Sequence, residues 1–385
     1  MKLQHRLLTA AAVTAVAASS PTASGLVSLE DGRDHLYVDG SVDFGYDSNV
    51  FANAQSGGSM VYKGSLGVEF ARRAGWIGVN ATASLEFARY GSFRNQDYVD
   101  PKITAELTKQ TGRTTGSLTL SVQREDRADV TVNTRDVSWN YDAGINFQYP
   151  VIERYSISGS FDYNRADYLD QQLFTNLTTY TENLYLYYIL NEQRDLFVDY
   201  RLRDSDLETG ELDVDNALTI GVSGKVIGPF NGSLQAGYEL RSSHGGPDNG
   251  EDFGDFTISG TATWNISRRM TLTANVSRDY STTATAQSIE STSGGLTFQD
   301  SFTAKASATL YAGAGQNEFL GEEGILEPSG VRRVDTFIDL SAAYFYTVNQ
   351  HLKASVSYSY YRSHSTLAYA DFPRDQFDFS LSSHW

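Results

Sequence analysis

The chain ends in the stretch RDQFDFSLSSHW, residues 374–385, and this stretch decides the fold. Within it Phe377, Phe379 and Leu381 are each followed by a polar residue, and the last residue is Trp385. Successive side chains of a β-strand point to opposite faces, so a period of two gives the strand one apolar and one polar face. The stretch therefore predicts a strand that contacts lipid on one side and water on the other.

The same alternation recurs along the chain. Segments 60–71 and 77–87 both show it, and only a short turn at 72–75 separates them. Two amphipathic strands joined this tightly are predicted to be antiparallel neighbours. An aromatic last residue on such a strand resembles the closing strand of bacterial outer-membrane β-barrels. The predicted signal for the barrel-assembly machinery is formed by Phe377, Phe379, Leu381 and Trp385.

The first residues predict a secretory signal peptide. Lys2 and Arg6 precede an apolar stretch at 7–18, and small and turn-forming residues follow at 19–25. Residues 1–24 are therefore predicted to be removed, leaving residues 25–385 as one outer-membrane β-barrel domain. No other segment approaches the roughly twenty apolar residues of a membrane helix. The mean hydropathy of −0.36 is polar, but membrane strands show lipid only every second residue, so their average stays polar.

The amino-acid composition argues against two classes of protein, namely disulfide-rich secreted scaffolds and nucleic-acid-binding proteins. The chain has 24 Tyr, 20 Phe and 33 Gly but no Cys, which excludes a disulfide-stapled secreted scaffold. Its formal net charge is −17, and it becomes −19 when Lys2 and Arg6 leave with the signal peptide. This excess of negative charge argues against nucleic acid as a partner.

Short and long connections alternate between the predicted strands. The short ones are 109–113, 150–154, 191–195, 228–231, 265–269 and 347–351, and the long ones are 51–59, 126–135, 170–179, 242–252 and 313–332. Short periplasmic turns with longer outer loops are typical of outer-membrane barrels. The count is about eighteen strands, with sixteen as the fallback because the alternation is poor at 288–299.

The predicted fold is all-β, a transmembrane antiparallel up-and-down β-barrel with both chain ends on the periplasmic side. Its predicted location is the cell outer membrane of a Gram-negative-type bacterium. The alternative fold is a soluble β-sandwich with ordinary core aromatics. The predicted partners are outer-membrane lipid, lipopolysaccharide and the barrel-assembly machinery.

Polar faces opposite the apolar ones predict a charged lumen. The predicted lumen-facing charged residues are Asp43, Glu69, Glu86, Glu106, Asp142, Asp162, Asp199, Arg201, Arg203, Glu239, Arg241, Asp335 and Asp339. An excess of carboxylates predicts a preference for cations in a water-filled pore. The alternative is that acids and bases pair off as structural ion pairs.

Passage through the lumen is the default function, because a barrel of about eighteen strands leaves an aqueous channel unless loops fill it. The longest predicted loop, 313–332, is rich in glutamate and is a candidate constriction. Inward-facing Tyr or Trp would offer stacking platforms for sugars, although most aromatic residues are predicted to face lipid.

One short stretch carries a family resemblance. Residues 45–51, Gly-Tyr-Asp-Ser-Asn-Val-Phe, are similar to a stretch of the outer-membrane β-barrel porin family associated with exopolysaccharide operons, and Arg374 and Asp375 resemble that family's ending. Ser48 stands where a second Asp is more usual, and Trp385 where Phe is commoner. The resemblance implies a channel for the export or passage of polysaccharide, with polysaccharide-export components as partners. The alternatives are a general or cation-preferring diffusion porin and a structural or adhesive barrel with a plugged lumen.

The sequence contains no pattern that is typical of a catalytic site or a metal-binding site. His244 follows Ser242 and Ser243 in a predicted outer loop, which is more typical of a polar loop than of an activated nucleophile. The acidic stretches 204–215 and 248–255 are predicted loops without the spacing of a calcium loop. The chain is therefore predicted not to be an enzyme, with no catalytic residue, cofactor or metal site.

Overall fold

The structure is a computed structural model that describes residues 27–29, 34–55, 57–72, 75–245, 250, 252–321 and 332–385. The predicted signal peptide at 1–24 lies outside the described residues. Nearly all of the described chain is β-strand. The strands are β1 Val27–Leu29, β2 Asp34–Asp47, β3 Ser59–Arg72, β4 Gly78–Tyr90, β5 Tyr98–Lys109, β6 Thr115–Asp129, β7 Thr134–Ile152, β8 Tyr155–Tyr168, β9 Leu177–Asn191, β10 Arg194–Leu207, β11 Leu212–Ile227, β12 Phe230–His244, β13 Asp252–Asn265, β14 Met270–Thr282, β15 Ser288–Asp300, β16 Ala306–Phe319, β17 Val334–Thr347, β18 Leu352–Ser365 and β19 Phe372–His384.

Strands β2 to β19 form a closed barrel of eighteen strands. Each strand pairs antiparallel with its neighbours in the chain, and β19 pairs with β2 to close the sheet. The three-residue strand β1 pairs with the start of β2. The predicted up-and-down barrel of about eighteen strands is therefore confirmed, including β15, which covers the doubtful segment 288–299.

Two turns of 3₁₀ helix, Arg94–Gln96 and Ala368–Ala370, are the helical elements among the described residues. Within the same residues no helix is long and apolar enough to cross a bilayer.

The outer surface of the barrel is apolar. Val42, Phe44 and Tyr46 on β2 are 44–48% exposed, and Phe377 and Phe379 on β19 are 48% and 40% exposed. The polar residues between them point inward, because the pleat alternates sides. Because the barrel is closed, the backbone N–H and C=O groups of each strand form hydrogen bonds with the neighbouring strands. The hydrocarbon interior of the bilayer contains no water that could replace these bonds. A closed barrel with such a surface belongs in an outer membrane, so the predicted location is confirmed.

The two ends of the barrel differ in their connections. The end at which β2 begins and β19 ends, here called the inner end, has connections of two to five residues between strands, such as 153–154 and 192–193. The opposite, outer end has connections of four to fourteen residues, including 48–58 and 320–333. The start of β2 and the end of β19 therefore lie on the side of the short turns, which is the periplasmic side in outer-membrane barrels.

Strands extend into two of the predicted loops. In place of a loop at 126–135, β6 and β7 continue to a four-residue turn at 130–133, where Asn133 takes a φ of +58° that Asn tolerates. In place of a loop from 313, β16 continues to Phe319. These outer extensions have no consistently apolar face, and the period of two therefore disappears from the sequence.

Candidate functional site: the lumen and its outer mouth

The lumen contains a cavity of about 2280 Å³ that extends to the inner end, where Lys109, Lys353 and Ser382 line it. Five of the predicted lumen-facing residues line the cavity: Asp43, Glu86, Glu106, Asp142 and Asp162. Glu69 lies on the same face of its strand and accepts a hydrogen bond of 2.9 Å from Asn80, another lining residue.

The cavity carries more acidic than basic groups. Four of its arginines form ion pairs with lining carboxylates: Arg124 with Asp100, Arg127 with Glu125, Arg135 with Asp126 and Arg374 with Asp47. Outside these pairs the cavity is lined by seven carboxylates and four lysines, namely Asp43, Glu86, Glu106, Asp142, Asp162, Asp195, Asp378, Lys63, Lys102, Lys109 and Lys353. The wall is therefore negative on balance.

Four of the other predicted lumen residues, Arg201, Arg203, Glu239 and Arg241, belong to a buried network in the outer half of β10 to β14. Arg241 is fully buried, and its Nε and Nη2 donate to the two carboxylate oxygens of Asp215 over 2.6 and 2.8 Å. Arg203 Nε donates to Asp215 Oδ2 over 2.7 Å. Arg201 Nη2 donates to Glu239 Oε1 over 2.5 Å and to Asp279 Oδ1 over 2.8 Å. Three guanidinium groups thus share these carboxylates in a bidentate or bridging manner, as buried arginines commonly do.

The network shows that the predicted acidic loop at 204–215 is partly strand, and it adds three aspartates to the charged residues of the lumen. Asp204, Asp213 and Asp215 were predicted in a solvated acidic loop, but they lie in β10 and β11, and Asp213 and Asp215 are fully buried. Asp213 Oδ1 accepts from Ser243, and its Oδ2 from Thr282, over 2.5 and 2.6 Å. Asp213, Asp215 and Asp279 were missed because their basic partners lie on other strands of the barrel.

The remaining predicted lumen residues are also buried. Asp199 is 2% exposed and accepts from Gln235 Nε2 over 3.3 Å. Asp335 pairs with Arg333 over 2.5 Å, and Asp339 is 7% exposed. Acids thus pair with bases in the outer half and at four places on the cavity wall, while the rest of that wall keeps an excess of carboxylates over lysines.

The β6–β7 turn reaches across the outer mouth of the barrel. Asn133 in this turn accepts a hydrogen bond from Arg333 Nη2 over 2.6 Å, beside the start of β17. Seven strands separate β7 from β17 by the shorter way around the barrel, so the contact joins nearly opposite walls. Asn133 Nδ2 also donates to the backbone oxygen of Ala52 over 3.1 Å. The turn therefore spans the lumen rather than standing clear of it.

Apolar contacts join further connections at the outer mouth. This group of residues, called here the outer cap, consists of residues 48–55, 130–133, 169–176, 283–287, Arg333 and 366–372. Ala52 and Phe372, both fully buried, pack with Val130. Val132 packs with Phe174 and Ala284, which come from two further connections. Thr175 N donates to Ala284 O over 2.8 Å. Of the predicted constriction at 313–332, residues 322–331 lie outside the described residues. Arg333, at the end of the same connection, belongs to the cap.

The two stretches that carry the family resemblance lie together in the structure. Asp47 Oδ2 accepts from Arg374 Nη2 over 2.6 Å, and both side chains are buried. Ser48 Oγ accepts from Asp375 N over 2.7 Å. A Cβ atom added to Gly45 would lie 2.8 Å from Phe377 O, so only glycine fits there. These residues fasten β2 to β19, which is the seam that closes the barrel.

The predicted barrel-assembly residues lie on the outer face of that seam. Phe377 and Phe379 are exposed apolar residues, Leu381 follows them on the same face, and Trp385 is 49% exposed. The Trp385 ring stacks on His351 at 4.1 Å, and its backbone exchanges two hydrogen bonds with Val38. Their recognition by the assembly machinery stays a prediction.

No protein-family model matches the chain, and no curated protein matches it in sequence. Several solved structures are similar to it. The FrpB iron transporter from Neisseria meningitidis (F3-3 variant) is 11% identical with a TM-score of 0.48 over 85% of this chain, which spans 62% of that protein, less than two thirds of its length. OccK2 (OpdF) from Pseudomonas aeruginosa is 11% identical with a TM-score of 0.49, over 91% of this chain and 97% of the other. The outer membrane protein OpdK from Pseudomonas aeruginosa is 12% identical with a TM-score of 0.46, over 91% and 99%. Likenesses this distant carry no argument about function, and the fold rests on the strand order described above.

Proposed function

We propose that this protein is an outer-membrane channel through which small hydrophilic solutes diffuse, with a preference for cations. The observation that carries the proposal is the polar cavity of about 2280 Å³ that reaches the inner end of an eighteen-stranded barrel. Barrels of this size hold water when their lumen is not filled by side chains. The cavity wall offers hydroxyl, amide and carboxylate groups that can replace the hydration of a passing solute.

The preference for cations follows from the charges on that wall. Seven carboxylates against four lysines, outside the four arginine pairs, give the cavity a negative balance. Charge rings of one sign favour passage of the opposite ion. Anionic solutes, including polyanionic glycans, are disfavoured for the same reason.

Passage requires the outer cap to open. The cap is held by side-chain and backbone contacts between connections, among them the hydrogen bonds of Asn133 and the packing of small residues around Ala52 and Ala284. Loops of this kind commonly regulate access to a rigid scaffold. Export of polysaccharide, which the resemblance implies, has no structural observation in its favour, and diffusion of small solutes is the better-supported function.

Solute flux into liposomes tests the proposal. The refolded mature chain and the variant Asn133→Gly, which keeps the left-handed backbone but removes the amide of the cap, are compared with empty liposomes. We expect the variant to admit potassium ions and small sugars and to exclude large dextrans. Failure of both folded proteins to admit any ion would reject the channel and favour a structural barrel with a plugged lumen.

A further inference from the structure

An aromatic cluster lies on one wall of the lumen, in a barrel whose exposed aromatic residues mostly face lipid. Tyr185 and Tyr187 on β9 line the cavity together with Phe197 on β10. The Tyr187 and Phe197 ring centroids are 5.2 Å apart, and the two tyrosine rings are stacked with centroids 5.9 Å apart. The cluster is thus a continuous aromatic surface on the wall of the cavity.

The buried Phe197 ring supports the two tyrosine rings. Phe197 is only 4% exposed, while both tyrosines are partly exposed to the lumen. The Phe197 ring lies over Gly221 of β11, where an added Cβ would come within 2.3 Å of its Cζ atom. Glycine at this position makes room for the ring, which in turn supports the tyrosines.

Polar groups surround the aromatic surface. Asn183 donates to Ser160 Oγ over 3.1 Å, and Gln235 donates to Asp199 Oδ2 over 3.3 Å. Ser158 and Asp199 are the cross-strand partners of Tyr185. Asn183, Gln235 and Ser158 also line the cavity, so amide and hydroxyl groups border the rings.

We infer that Tyr185 and Tyr187 form a subsite for a neutral pyranose sugar inside the lumen. The axial C–H groups of a pyranose ring stack on an aromatic face, while its equatorial hydroxyl groups need paired donors and acceptors such as amides and carboxylates. Asp162 and Asp195 on the same wall repel an anionic solute. The inference rests on the proposed function and names a class of solute that the channel would pass.

Sugar binding can be measured without a bilayer, because the cavity reaches the inner end and the cap need not open. The full mature chain in detergent is titrated with maltotriose, a neutral probe, and binding is followed by saturation-transfer NMR. We expect saturation of the sugar ring protons and a loss of affinity of about fivefold or more in Tyr187→Ala and in the double variant Tyr185→Ala/Tyr187→Ala. Tyr187→Phe keeps the aromatic face and is expected to retain most of the binding.

Tyr188→Ala is the matched control. Tyr188 is the next residue of β9, faces outward and contacts Tyr155 there, with ring centroids 5.2 Å apart. Its removal is expected to leave maltotriose binding unchanged, and glucuronate is expected to bind more weakly than the neutral sugar at low salt. The heat-shifted gel mobility of each variant verifies folding; if the double variant does not fold, Tyr187→Ala carries the test.

The inference is overturned if the folded mature chain gives no saturation transfer, if Tyr188→Ala weakens binding as much as Tyr187→Ala, or if glucuronate binds as well as the neutral sugar. These results are separate from those of the flux experiment. If the barrel passes ions but binds no sugar, the proposed sugar subsite is rejected and the proposed channel function stands. If the barrel binds sugar but never conducts ions, the proposed channel function is rejected.

Discussion

Arg333 Nη2 donates a hydrogen bond of 2.6 Å to Asn133 Oδ1, although the two residues are 200 positions apart and belong to nearly opposite walls of the barrel. The contact is buried, and Arg333 is also held by Asp335 through its Nε and Nη2 groups. An eighteen-stranded barrel is too wide for such a contact unless one element crosses the lumen. The β6–β7 turn is that element, and it brings the two walls into contact at the outer mouth.

The buried network around Arg241 is expected to be essential for barrel stability. Replacing Arg241 by Met leaves Asp213 and Asp215 with less compensation in a site that water does not reach. We expect a loss of about 3–5 kcal/mol in the free energy of unfolding, measured by urea titration in detergent. Arg165→Met, at a 40% exposed side chain paired with Asp167, is the control and should cost at most about 1 kcal/mol. Equal losses in the two variants would contradict a structural role for the network.

The opposite faces of β19 are expected to respond differently to charge. Phe379 points to lipid between Phe44 and Val356, whereas Ser380 points into the lumen. We expect Phe379→Lys to destabilise the folded barrel by about 2–4 kcal/mol, because a cation near the bilayer midplane loses its hydration. Ser380→Lys should fold nearly as well as the parent chain. The folding yield into lipid vesicles measures the effect of each substitution. If Ser380→Lys lowered this yield more than Phe379→Lys, the assignment of the two faces of β19 to lipid and lumen would be wrong.

The carboxylates of the cavity are expected to set ion selectivity. Asp43→Asn, Asp142→Asn and Asp162→Asn together leave four carboxylates against four lysines on the wall outside the arginine pairs. In an Asn133→Gly background we expect the cation preference, measured as the reversal potential under a salt gradient, to fall close to zero. Glu182→Gln is the control, since this exposed residue lies on the outward face of β9 between Tyr180 and Leu184. An unchanged reversal potential in the triple variant would exclude the acidic wall as the selectivity element.

The sequence predicts the fold well because the membrane imposes a period of two wherever a strand lies in lipid. Residues 377–381 show that period, and the closed strand order follows from its repetition. The period fades where the strands extend toward the outer mouth. For this reason residues 126–135 and 204–215 look like loops in the sequence, although most of them are strand.

The arrangement of the lumen was predictable only in part. Alternation places Arg201, Arg241 and Glu239 on the inner face, but the pairing of Arg201 with Asp279 depends on how β10 and β14 approach each other across the barrel interior. The outer cap depends on long-range contacts of the same kind. Neither leaves a local signal, since the partners are distant in the chain and contribute ordinary polar or small residues.

Single-channel conductance in planar bilayers is the most direct test of a lumen controlled by its outer cap. The parent chain, Asn133→Gly and Arg333→Ala are compared, with Arg332→Ala as the control because the Arg332 side chain is 62% exposed and pairs with Glu318 rather than with the turn. We predict rare openings in the parent chain, frequent and longer cation-preferring openings in the two cap variants, and no change in the control. Identical silence in the parent and in both folded cap variants would contradict the account, because the barrel would then be plugged by something other than the cap.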